Sequence, residues 1–170
     1  LFFGAIRPNK GLDILLKALE IIKSRNRRVL LVIAGGLLGR FNFESYSDMI
    51  RKYDLSEHVQ TFIHFIPEED VDYFFAASNL VVLPYLKFEA QGGVLLGAYA
   101  HKTPVVGGDI GAMGELVSSY KVGLVVKSGA VEPVAEAVTN ALDSLDKFQS
   151  HYNSELEEKY SWKHIAELTM

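Results

Sequence analysis

Three short stretches carry residue types at spacings that suit anion and sugar chemistry. In EAQGGVLLGAY, residues 89–99, Glu89 precedes the Gly92-Gly93 pair, and an apolar helical pattern follows at once. Glycines let a ligand approach the backbone closely. The N–H groups of Gly93, Val94 and Leu95 would open a helix, whose amino end attracts anions. Glu89 is a poor phosphate neighbour but a good acceptor for sugar hydroxyls. A surface turn with an exposed loop acid accounts for the same residues equally well.

In GAIRPNKG, residues 4–11, Arg7 and Lys10 stand just before a helical pattern. The order Lys-Gly is not that of a P-loop, and no GxGxxG is present, so a nicotinamide dinucleotide site is not expected. Two cations here suit an anionic ligand, although a solvated turn with a glycine stop is the simpler account of these residues alone. In GGDIGAMGE, residues 107–115, four glycines fall within eight residues and the stretch ends on Glu115. Glycine costs conformational entropy, so this density implies close packing against a neighbouring loop or a ligand.

Other chemistries are absent from the sequence. The five histidines show no metal-ligand spacing, and there is neither HExxH nor GxSxG. With no cysteine, disulfides and cysteine-based metal sites are ruled out. His64 reads as a satisfied loop histidine, and SRNRR (24–28) as a solvated helix end rather than a lipid contact.

These stretches need elements to position them. Apolar runs at 1–6, 28–36, 59–66, 79–84, 103–108 and 123–127 read as six strands, each bounded by turn residues. Helical patterns lie between them, at 11–24, 43–53, 67–78, 92–101, 109–118 and 134–145, with a last short helix carrying Trp162, Ile165 and Leu168. Strands apolar on both faces and separated by helices imply a parallel sheet covered on both sides. The expected fold is therefore α/β, a Rossmann-like doubly wound six-stranded parallel sheet. Its ligand edge is the carboxyl end of the strands, which gathers the loops at 7–10, 35–42, 64–67, 84–92 and 107–114.

The chain has 170 residues, 49% of them hydrophobic, which suits one domain with a sizeable core. A net charge of −4 gives no basic field for nucleic acid. The longest apolar run, Val29 to Leu38, is too short to span a bilayer. The opening LFFGAIRPNKG reads as a strand entered mid-protein, hence as an excised domain.

Taken in order, the pieces FFGAIRPNKGLDILLKAL, LVIAGG, HVQTFIHFIPEEDVDYFFAASNLVVLPY, KTPVVGGDIGAMGELV, KVGLVV and KYSWKHIAEL resemble the C-terminal, donor-binding domain of GT-B-fold group 1 (family 4) retaining glycosyltransferases. The resemblance covers nearly the whole chain. It implies that residues 1–170 are one nucleotide-sugar-binding domain, the C-terminal half of a two-domain enzyme whose N-terminal half binds the acceptor. It implies that Glu89 holds donor-sugar hydroxyls and that Gly92-Gly93, with Val94 and Leu95, cradle sugar and diphosphate. Lys10 is implied to neutralise the diphosphate, with Arg7 standing near. Gly4 and Gly35 fall on the nucleotide edge, Phe65 and Ile66 flank the base, and Glu115 ends the glycine-rich loop. Two positions depart from the family pattern: its second Glu falls on Gly97 and its arginine on Ala5.

The implied reaction is retaining transfer from a nucleotide diphosphate sugar, in glycan, polysaccharide or glycolipid synthesis, with no metal or other cofactor. The acceptor would be a glycan or lipid-linked sugar, and the enzyme cytoplasmic, with room for peripheral association with the inner membrane surface. The isolated domain is expected to be inactive by itself. Two other readings stay open: a nucleotide-sugar epimerase, and a nucleotide-binding or interaction module of this fold that has lost catalysis.

Overall fold

The computed structural model describes residues 1–25, 27–39, 42–87 and 93–152. Glu89, Gly92 and the expected helix around Trp162 lie outside the described residues.

Strands and helices alternate. The strands are β1 (Phe2–Phe3), β2 (Leu31–Ala34), β3 (Val59–Phe62), β4 (Val81–Leu83), β5 (Val105–Gly108) and β6 (Gly123–Val126). The helices are α1 (Leu12–Ser24), α2 (Glu44–Lys52), α3 (Glu68–Ala76), α4 (Gly93–Ala100), α5 (Gly111–Tyr120), α6 (Val131–Leu142) and α7 (Leu145–Gln149). Every strand pair is parallel.

The strands form two three-stranded sheets, β1-β2-β3 and β4-β5-β6, in place of the single six-stranded ladder expected. The reason lies in β1, which is only two residues long. At the junction a single residue bridges to β4: the Leu1 nitrogen donates to Leu80 O (2.7 Å), and Val82 N–H donates to Leu1 O (2.9 Å).

Side chains of both sheets alternate between the same two layers, as the pleat requires. Phe2, Leu31, Ile33, Val82, Val106 and Val126 face one layer, with α1, α2, α6 and α7. Leu1, Val81, Leu83 and Val105 face the other, with α3, α4 and α5. In α1, Leu12, Leu15, Leu16, Leu19 and Ile22 are all buried, each burial contributing about 1.5–3 kcal/mol before chain entropy is counted. Pro67 precedes α3, and Glu68, Glu69 and Asp70 occupy its first turn, where the helix dipole favours them. α7 was not anticipated, because Leu145 completes the apolar stripe of α6 in sequence although α6 ends at Leu142.

Candidate functional site

The loops at the carboxyl ends of the strands are pinned to one another by backbone contacts. After β1, Gly4 N–H donates to Ala34 O and Ile6 N–H to Gly36 O, both at 2.9 Å, so this loop runs alongside the one after β2. Gly35 has φ +148°, and a Cβ there would stand 1.9 Å from Gly4 O. Only glycine allows these two backbones to touch.

The chain then makes a 3-10 turn, Pro8–Lys10, closed by Gly11 at φ +71°. This turn docks on the loop after β4. Leu86 N–H donates to Asn9 O at 2.9 Å, and a Cβ on Gly11 would lie 2.0 Å from Pro84 O. The Lys10 ammonium sits 3.6 Å from the centroid of the Tyr85 ring. Arg7 is half-buried, and its Nε is shielded from solvent with no hydrogen-bond partner among the described residues. A shielded guanidinium N–H left unpaired is costly, so Arg7 is suited to an incoming acceptor.

α4 starts beside the loop after β1. Its first residue, Gly93, is exposed, and a Cβ there would meet nothing within 4 Å. Val94 lies over Gly4, its Cγ2 3.2 Å from where a Cβ would stand. The Leu95 side chain is buried in the α3–α5 layer, so only its backbone is placed to serve the edge. The loop carrying Gly4, Arg7 and Lys10 and the loop carrying Tyr85 thus meet at the crevice between the ends of β1 and β4, with Val94 over Gly4.

Next to it, at the ends of β1, β2 and β3, is a cavity of about 640 Å³, lined by Gly4, Gly35, Leu37, His64, Phe65 and Ile66, among others. Phe65 is 82% exposed, whereas Ile66 is buried, so the ring is presented and Ile66 supports the wall. His64 is exposed at this edge. A second cavity, about 290 Å³ and mostly apolar, lies at the opposite, amino ends of the strands around Leu1, Leu31 and Leu80.

The glycine-rich stretch after β5 serves packing. Gly107 and Gly108 belong to β5, and Gly111 and Gly114 to α5. Cβ atoms on Gly107, Gly108 and Gly114 would crowd Met113 Sδ (3.1 Å), Tyr85 O (3.1 Å) and Asp109 Cα (3.2 Å) respectively. Asp109 accepts a hydrogen bond from Ser128 N–H at 2.7 Å, tying the end of β5 to the loop after β6. The bond from the Ser128 backbone is the largest cause that holds its carboxyl below the usual range, with a smaller contribution from Lys127. Glu115 is exposed in the second turn of α5, within the helix rather than at the end of a loop.

Gly97 faces the ring of Phe75. A Cβ there would stand 2.8 Å from Phe75 Cζ, and Phe75 is buried and stacked against His101, with ring centroids 5.4 Å apart. A carboxylate has no room at this position.

Tyr85 escaped the sequence reading. Its position directly after the Leu83-Pro84 strand end, on a ligand-edge loop, was the available signal. The assembled edge can hold a flat, partly apolar group in the cavity and an anion in the adjoining crevice. Among the described residues, no cluster of His, Asp and Glu could hold a metal ion, and no helix is long and apolar enough to cross a membrane.

Comparison with known proteins agrees with this geometry. The family described as "Glycosyl transferases group 1" matches residues 1–158. The chain is 29% identical over 177 residues to a D-inositol 3-phosphate glycosyltransferase of Rhodococcus erythropolis, covering 98% of this chain and 38% of the relative. It is 32% identical over 146 residues to a GDP-mannose-dependent alpha-(1-6)-phosphatidylinositol monomannoside mannosyltransferase of Mycobacterium tuberculosis, covering 82% of this chain and 37% of the relative. The chain therefore spans less than half the length of these curated relatives. Its fold matches the crystal structure of Anabaena HepE in complex with UDP, with a TM-score of 0.79 at 22% identity over 99% of this chain and 48% of that one. The strand-helix order, the linked loops at one sheet edge and a family match along nearly the full length converge: the chain belongs to the group 1 glycosyltransferases, on a GT-B, Rossmann-like α/β fold.

Proposed function

We propose that this chain binds a nucleotide diphosphate sugar and is the donor half of a retaining glycosyltransferase. The observation that carries this reading is the docking of the Arg7–Lys10 turn on the loop after β4, with Val94 of α4 lying over Gly4 at the edge of the cavity walled by Phe65 and Ile66. In this reading the two sheets act as one layer of order 3-2-1-4-5-6, and the β1/β4 crevice is its switch point, where such folds take ligands. The base stacks at Phe65 and the ribose passes Gly4 and Gly35. The diphosphate lies between Lys10, Arg7 and the N–H groups of Gly93, Val94 and Leu95.

Transfer needs negative charge stabilised on the departing diphosphate while positive charge grows at the anomeric carbon. Two cations and a helix terminus do this without a metal. Glu89 and Gly92 take the sugar, and Glu115 keeps the assignment that the family pattern gives it. The acceptor, a glycan or lipid-linked sugar, binds to an N-terminal domain, in the cytoplasm and at the inner membrane surface if the acceptor is a lipid. The domain alone turns over little donor. A binding module without catalysis is the second reading, motivated by Ala5 and by the filled space at Gly97.

Calorimetry on the full-length protein with UDP, GDP and the matching nucleosides tests the donor site. Lys10→Ala is expected to weaken the diphosphates roughly tenfold or more, since a charge-assisted contact contributes about 1.5–3 kcal/mol, and to spare the nucleosides. Glu89→Gln is expected to spare diphosphate binding and lower turnover, because a charge-assisted bond to the sugar is lost. Equal weakening of diphosphate and nucleoside by Lys10→Ala would falsify the diphosphate role. Diphosphate binding without donor hydrolysis or transfer by the parent would favour the second reading.

A further inference from the structure

We propose that Tyr85 is a positioning residue for Lys10: its ring face holds the lysine ammonium in the β1/β4 crevice, ready for the diphosphate. The proposal rests on the donor-binding reading above and adds a residue to it.

Three observations carry it. The Lys10 Nζ stands 3.6 Å from the Tyr85 ring centroid, well inside the range of cation–π attraction. Tyr85 is 2% exposed, so the ring is a fixed surface rather than a mobile partner. The two loops are locked together on either side of the pair, by Leu86 N–H to Asn9 O and by the backbone contact of Gly11 with Pro84.

The physical advantage is specific to an aromatic partner. A lysine side chain samples many rotamers, and an unrestrained lysine loses that entropy when it engages a ligand. A ring face restricts the chain beforehand.

Titration of the full-length protein with UDP and GDP, against uridine and guanosine as controls, tests the role. Tyr85→Phe keeps the face and is expected to bind the diphosphates within about twofold of the parent, at the lower limit of the cation–π range. Tyr85→Met fills the space without a face and is expected to lose roughly 3- to 30-fold in diphosphate affinity, with nucleoside affinity unchanged. In a Lys10→Ala background, Tyr85→Met is expected to cost nothing further, because the residue acts only through the lysine. Equal weakening of nucleosides, a further loss in the Lys10→Ala background, or tighter diphosphate binding by Tyr85→Met would each overturn the proposal.

Should Tyr85→Met not fold, NMR of the parent decides. Lys10 ε-methylene protons shifted upfield by the ring support the role, and unshifted resonances overturn it. The two readings fail differently. If Lys10→Ala leaves diphosphate binding intact, the donor site itself is wrong and the role of Tyr85 falls with it. If Lys10→Ala weakens binding and Tyr85→Met does not, the donor site stands and positioning alone is overturned.

Discussion

Glycines that look alike in the chain do different work in the site. Gly11 is held at φ +71° against Pro84 O, so any side chain must both enter the left-handed region and displace backbone. Gly11→Ala is expected to cost at least about 2 kcal/mol, read as a lower urea midpoint at unchanged slope. Gly93 is the opposite case, opening α4 into free space. Gly93→Val is expected to leave stability within about 1 kcal/mol, yet to weaken nucleoside diphosphate and nucleotide sugar alike by about tenfold, or about 1.4 kcal/mol. Full-strength binding by Gly93→Val would place the ligand elsewhere.

Between elements, the contact of α3 with α4 decides how the slim α4 sits in the crevice. Phe75 fills the space over Gly97 and is itself packed against Phe3, with centroids 5.1 Å apart, and His101. The ring cannot withdraw, so Gly97→Ala is expected to cost about 1–3 kcal/mol. Phe75→Leu opens that space at its own cost. The two changes share one contact, so the double variant should be more stable than the sum of the singles predicts, by about 0.5 kcal/mol or more. Strict additivity in thermal melts would show that Phe75 does not confine α4. The same geometry leaves no room for a longer side chain at position 97: α4 approaches α3 through the missing side chain.

Across the whole molecule, buried phenols oppose the folded state at alkaline pH. Burial pushes the Tyr85 phenol well above its ordinary value. Tyr152 is raised mainly by burial and secondarily by Tyr99, and its hydroxyl donates to Thr103 O at 2.8 Å. Above about pH 10 the unfolded chain releases these protons and the folded chain keeps them. Stability is therefore fully present below pH 10 and falls as pH rises, by about 1.4 kcal/mol per pH unit for each such group. Tyr85→Phe removes one titrating group and is expected to flatten the fall in melting temperature between about pH 10 and 12. An unchanged slope would mean that Tyr85 ionises in the folded state. At the acid end Asp109 acts in the opposite sense. Its lowered carboxyl stabilises the fold above the ordinary carboxylate range, and that contribution is lost as pH falls through the folded value.

The α/β alternation, the identity of the strands and the Lys-Gly turn were legible in the sequence, because strand and helix periods and turn residues act over a few neighbouring positions. So was the gathering of the loops after each strand at one edge of the sheets, which follows from parallel order alone. Helix ends were less legible: the stripe of α6 runs on into Leu145 of α7, although the helix stops at Leu142. The partners across the fold were not legible at all. Tyr85 beneath Lys10, Pro84 against Gly11 and Phe75 over Gly97 join residues far apart in the chain. Periodicity states which side of an element is apolar, but not what packs on it. The meeting of the β1 and β4 loops, and the two-residue β1 that divides the sheet, follow from crossover order and close packing of backbones, and only the tertiary structure decides those.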